Sequence, residues 1–179
     1  MTIVFSTQRL ILKKFSAADA QGFYELNLDP EAIRYTGDVP FLSIAEAEDF
    51  ILSYDHYERH GYGRWSVFLK DDNKYIGFCG LNYSQKKMEV DVGFRFMRVH
   101  WGKGYATEAA RASLQYGFNE YSLDRIVGRA MKENAASLRV LEKLGMRFRK
   151  EFDEEGAGWC QYEIAHEEMA DVYPSLLGK

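Results

Sequence analysis

Three residues stand where chemistry can be done without any catalytic side chain: Gly102, Lys103 and Gly104, directly before the helix-forming stretch YATEAARASLQYGF. Glycine costs backbone entropy, so two of them flanking one residue need a reason. A tight turn is one reason, and a ligand that must approach the backbone is another. The first N–H groups of a helix lack partners within it and carry partial positive charge. Without Cβ atoms at 102 and 104 a phosphate can come close to those amides, and Lys103 adds a full charge. The chemistry indicated is capture of a phosphate or diphosphate. A Walker A loop is absent, and a dinucleotide fingerprint fails because Thr107 stands where its third glycine belongs.

Two further groups have chemical potential. Glu89 and Asp91 lie two apart in MEVDVGFRF and share one face of a strand, where a carboxylate can take a proton from an ammonium. A solvent-facing strand charge is the plain alternative. Asn134 and Ser137 lie about one helical turn apart, as a helix cap or as ligand contacts. Cys79 and Cys160 form no metal-ligand pattern with the histidines, and no metal is expected.

The elements that must position these residues follow from patterning. TQRLILKK (7–14) alternates as a strand with Leu10 and Leu12 on one face. Ser16 and Asp19 form a capping-box-like pair, with Phe15 as staple, opening a helix to about Asn27. Pro30 opens a short turn. Ser43 and Glu46 cap a helix carrying Ala47, Phe50, Ile51, Tyr54 and Tyr57, which Gly61 stops. RWSVFLK and YIGFCGLNY read as a hairpin, and MEVDVGFRF as a third antiparallel strand. Then come a helix from the glycine loop, a strand DRIVGRAM, a helix from Asn134 to Gly145, and the last strands MRFRKEF and WCQYEIAH. The sum is a mixed α/β sheet.

A length of 179 residues, 46% of them apolar, fits one globular domain over 1–179. The formal charge of −4, from 27 acidic and 23 basic residues, argues against a general nucleic-acid binder. No apolar run approaches the ~20 residues of a spanning helix, and no signal peptide is visible, so no membrane partner and a cytoplasmic protein with reduced thiols are expected.

The stretch W-G-K-G-Y-A (101–106) resembles the acyl-CoA diphosphate loop of the GNAT acetyltransferase superfamily, [QR]-x-x-G-x-[GA], with Gly104 and Ala106 at its last fixed positions. Trp101, where Gln or Arg is usual, is similar to the ribosomal-protein N-terminal acetyltransferase branch. T-Q-R-L-I-L (7–12), D-V-G-F (91–94) and N-A-A-S-L-R-V-L-E-K-L-G-M (134–146) resemble further blocks of that branch, in order. The resemblance implies a central, mostly antiparallel, twisted sheet of about seven strands, flanked by helices and splayed in the middle to admit coenzyme A.

It also implies an N-acetyltransferase moving acetyl from acetyl-CoA to a primary amine, either a protein N-terminus or a small amine. The alternative is a non-catalytic CoA sensor of the same fold. Gly102, Lys103, Gly104, Tyr105, Ala106 and Thr107 would hold the diphosphate. The backbone of Phe94 and Phe96 would pair with the pantetheine arm, and Asn134 would contact it. Asp91 aligns with the family's acidic position before the loop and is the candidate base. The family's usual tyrosine acid falls at Leu141, leaving Ser137 to hydrogen-bond the CoA sulfur. Arg139 and Lys143 are candidate phosphate contacts, and Tyr35, Thr36, Asp38, Tyr57, Tyr62, Gly63 and Trp65 are candidates for the acceptor wall. A monomer or a homodimer fits equally.

Overall fold

Leu10 and Leu12 are both fully buried, as the alternation of their strand requires. That strand, β2 (Leu10–Lys13), belongs to an eight-stranded sheet in the computed structural model, which describes residues 2–172. The others are β1 (Ile3–Ser6), β3 (Arg64–Leu69), β4 (Tyr75–Ser84), β5 (Glu89–Phe96), β6 (Arg125–Met131), β7 (Arg147–Glu154) and β8 (Ala157–Ala165). Their order is β1-β2-β3-β4-β5-β6-β8-β7, and every neighbouring pair is antiparallel except β5 and β6. The strand beyond the expected count is β1, four residues at the sheet edge and too short to show a period.

Helices cover both faces. On one lie α5 (Tyr105–Tyr121) and α6 (Ala135–Lys143), whose Ala109, Ala110, Leu114, Phe118 and Leu141 pack with Val90, Val92 and Phe96 of β5. On the other, α1 (Ala20–Leu28) and α3 (Ile44–Leu52) bury Phe23 and Ile51 in a smaller cluster that reaches Phe78 of β4. The Ser16–Asp19 capping box forms as read, and Phe15 packs edge-on against Phe23. A short α2 (Pro30–Ile33) follows Asp29, and α7 (His166–Val172) follows β8.

The helix expected from Ser43 to Gly61 is two helices: α3 and α4 (His56–His60). Ser53 closes the first by donating its hydroxyl to the carbonyl of Phe50. The turn brings two tyrosines onto β3: Tyr54 Oη accepts the Arg64 N–H at 2.7 Å, and Tyr57 Oη donates to the Arg64 carbonyl. Gly61 ends α4 in the left-handed region, as read.

The parallel join is short. Strands β5 and β6 pair only at Val90↔Ile126, Asp91↔Val127 and Val92↔Gly128. Beyond that, β5 stays with β4 to Gly77↔Phe96, while β6 stays with β8 to Met131↔Trp159. The sheet therefore splays between them, as the family resemblance implies. Among the described residues no helix is long and apolar enough to cross a membrane, and Cys79 and Cys160 are buried free thiols.

Candidate active site

The splay leaves an open backbone edge. Met97 donates its N–H to the Ile76 carbonyl, on the β4 side. Backbone groups alternate in direction along a strand, so those of Phe94 and Phe96 face the gap toward β6. One of them is taken: the Trp101 indole N–H donates to the Phe96 carbonyl at 2.7 Å. The N–H and carbonyl of Phe94 lie beyond the last rung of the β5–β6 ladder. The Phe94 and Phe96 rings turn to the α5 face, where Phe96 is buried. A peptide-like chain can take the place of the missing strand here.

The glycine loop meets the end of that edge. After a 3-10 turn at Arg98–His100, Gly102 and Gly104 sit at φ of +73° and +82°, a region closed to most side chains. A Cβ at 102 would meet nothing within 4 Å, and one at 104 would meet only Arg9 Nη2, at 3.4 Å. The glycines therefore serve backbone direction and an uncovered peptide surface rather than tight packing. Gly102, Lys103 and Gly104 are exposed, and Tyr105, Ala106 and Thr107 half-buried. The first helical bond runs from the Glu108 N–H to the Gly104 carbonyl, so the amides of 105 to 107 precede it. With Lys103 beside them, these groups fit a diphosphate, and the open edge fits the amide-bearing arm of coenzyme A.

Strands β5 and β6 are parallel neighbours, so the loop after β5 and the turn after β6 leave at one end, where α/β sheets place ligands. The second turn carries Asn134, whose Oδ1 accepts the Ser137 N–H at 3.1 Å as an N-cap. Its amide nitrogen is not used by that cap. Ser137 is half-buried on the first turn of α6. Leu141, at the family's tyrosine position, is 1% exposed and faces the core.

Glu89 and Asp91 share the opposite face, as alternation demands, but each meets arginine. Arg64 donates to the Asp91 carboxylate and, at 3.1 Å, to the Asp91 carbonyl. It lies against Gly93, where a Cβ would collide with the guanidinium. Burial works against the Arg64 charge, but Asp91 beside it prevails and holds the group above its ordinary pKa. Arg129 donates to Glu89, and Arg125 lies 3.6 Å from it. Arg95, further along β5, donates to Asn27 and Asp38. Neither carboxylate in MEVDVGFRF is thus free of a cation. Spacing placed them on one face, but it carried no sign of Arg64 and Arg129, which reach them only through strand register.

Of the expected acceptor wall, Tyr57, Tyr62 and Trp65 are core residues at 9%, 6% and 1% exposure. Asp38 remains at the splayed end through Arg95, and Thr36 supports it by accepting the Asp38 N–H. Arg139 and Lys143 are exposed on α6. Close to the loop, His100 is buried with no hydrogen-bond partner for either ring nitrogen. Burial lowers its pKa, and Lys103 and Lys74 lower it further, against Asp72. No cluster of metal-ligating side chains occurs among the described residues.

Residues 9–147 match the family model described as an acetyltransferase (GNAT) domain. A Bacillus licheniformis protein named uncharacterized N-acetyltransferase p20 is 33% identical over 169 residues, covering 93% of this chain and 91% of the relative. The solved GNAT-family acetyltransferase from Bacillus anthracis superposes with a TM-score of 0.80 at 29% identity, over 94% of this chain and all of that one. The fold is also that of RimL, a ribosomal L7/L12 alpha-N-protein acetyltransferase solved with coenzyme A, at TM-score 0.77 and 15% identity, over 91% of this chain and 97% of that one.

Proposed function

Because the chain belongs to the GNAT acetyltransferase family, whose members use acetyl-CoA, we propose that it moves the acetyl group onto an α-amine, of a protein N-terminus or of a small molecule, within a ternary complex. The observation that carries this reading is the open Phe94 edge running into the uncovered amides of Gly102–Thr107. Acetyl-CoA supplies a thioester whose carbonyl carbon is the electrophile. In the reading, the amides of 102 to 107 and Lys103 hold the diphosphate. The backbone of Phe94 and the N–H of Phe96 pair with the pantetheine arm, and an N–H of this strand polarises the thioester carbonyl. The Asn134 amide nitrogen contacts the arm. As the C–N bond forms and the C–S bond breaks, the Ser137 hydroxyl hydrogen-bonds the sulfur, and water delivers its proton.

The acceptor proton is the step that bears on substrate. Asp91 can take it, directly or through water, only against the pull of Arg64. A carboxylate already engaged in an ion pair favours an amine that deprotonates readily: an α-amine has a pKa of ~8, a lysine amine ~10.4. The W-G-K-G-Y-A form of the loop, similar to the ribosomal-protein branch, supports the same choice. The reading takes 1–179 as one catalytic unit in the cytoplasm, as a monomer or homodimer.

A thioester-cleavage assay with free-α-amine peptides, lysine side-chain peptides, spermidine and small amines tests it. Turnover with α-amines well above background hydrolysis is expected. Preference for lysine or spermidine overturns the acceptor choice, and CoA binding without turnover across the panel points instead to a sensor.

A further inference from the structure

Arg9 immediately precedes β2, far along the sheet from the splay, yet its side chain ends on the diphosphate loop. Its backbone N–H donates to Glu108 Oε1 at 2.8 Å, and its Nε donates to Glu108 Oε2 at 2.6 Å. Thr7 Oγ1 donates to Glu108 Oε1 at 2.6 Å, so the carboxylate is held from three sides. The other arm of the guanidinium continues: Nη1 donates to the Lys103 carbonyl at 2.9 Å. The guanidinium carbon stands 4.5 Å from the centre of the Tyr105 ring.

The Lys103 carbonyl and the Gly104 N–H belong to one planar trans peptide, so they point in opposite directions. A carbonyl tied to Arg9 turns the Gly104 N–H away from Arg9. Glycine accepts either sign of φ, so nothing local prevents that peptide from rotating. A forked side chain fixed at one end by Glu108 supplies the restraint. It also sets a positive charge against Glu108, a carboxylate in the first turn of a helix whose start would receive an anion. Burial alone would raise the Glu108 pKa, but the hydrogen bonds from Thr7 and Arg9 outweigh it and hold the group below its ordinary value, hence charged.

We propose that Arg9 is a positioning residue for acetyl-CoA: bridging Glu108 and the Lys103 carbonyl, it fixes the Gly104 amide in the direction that a diphosphate needs. This rests on the reading of Gly102–Thr107 as the diphosphate site. A lysine keeps the charge but presents one nitrogen in place of the rigid fork whose Nε and Nη1 reach the two acceptors.

The test is Arg9→Lys, with CoA affinity measured by calorimetry on the whole chain and with steady-state kinetics. The Kd for CoA and the KM for acetyl-CoA are expected to rise about tenfold, the loss of one charge-assisted hydrogen bond. The acceptor KM and the kcat at saturating acetyl-CoA stay at wild-type values. Glu108→Gln, which keeps the shape and weakens the anchor, shifts the same two constants less. An unchanged CoA Kd in Arg9→Lys overturns the proposal, even where the melting temperature falls. A kcat that falls as far as the affinity also overturns it, because the whole site has then moved. If the wild-type chain fails to bind CoA, the diphosphate reading falls first and this proposal with it.

Discussion

Arg64 and Asp91 meet across the face of the sheet opposite α5, their side chains only 18% and 19% exposed. Removing one partner of such a pair strands the other charge. Asp91→Asn is therefore expected to cost about 3 kcal/mol in urea unfolding, and Arg64→Met with Asp91→Leu to recover most of it. With Asp91 as the base, the kcat of a folded Asp91→Asn protein is expected to fall on the order of a hundredfold. An unchanged kcat would leave the amine proton to solvent.

At Gly104 two nearly isosteric replacements separate charge from conformation. Asparagine tolerates the left-handed region better than most side chains, and aspartate resembles it in shape. Gly104→Asn should keep the fold and much of the CoA affinity, while Gly104→Asp places a carboxylate against a diphosphate and loses on the order of a hundredfold more. Equal affinities by calorimetry would move the diphosphate elsewhere.

His100 makes stability depend on pH. Its folded pKa lies below the ordinary 6.5, so near and below that pH the unfolded chain binds more protons than the folded one. Stability thus falls as pH drops from about 6.5 through the folded value, and rises again with pH. Phenylalanine at 100 removes the titration. The wild-type urea midpoint should fall relative to that of His100→Phe as pH drops below about 6.5 and keep a constant offset from it above that pH; parallel curves throughout would show that His100 does not titrate on unfolding.

Trp101 ties the loop to the strand through the Phe96 carbonyl. Trp101→Phe keeps an aromatic side chain and removes the donor, so a loss of about 1 kcal/mol is expected. Amide exchange at Gly102 and Gly104 should quicken while that of α5 beyond its first turn is unchanged. Exchange quickening along all of α5 would mean that the indole matters for packing instead.

The features legible in the sequence were those encoded locally. Ser16 with Asp19, Asn134 and Gly61 announced helix ends because a cap is chosen by neighbours in the chain. Alternation put Leu10, Leu12, Val90 and Val92 inside. The break at Ser53 escaped because Tyr54 and Tyr57 continue the helical spacing of Phe50 across it. Arginine partners were hidden for a different reason. Arg9 meets Glu108 across 99 residues and Arg64 meets Asp91 across 27, so only register brings them together. The glycine loop could be read, but the direction of its amides could not.

Among the described residues, three rungs from Val90 to Val92 are all that the ladder joining β1–β5 to β6–β8 contains. Helices α5 and α6 brace this seam from one side only. Whatever occupies the gap beyond Val92 then works as a rivet as well as a reactant: it fastens two plates that otherwise meet along a narrow margin. Heat should part the molecule there first, and a ligand that spans the gap should raise the temperature at which it gives way.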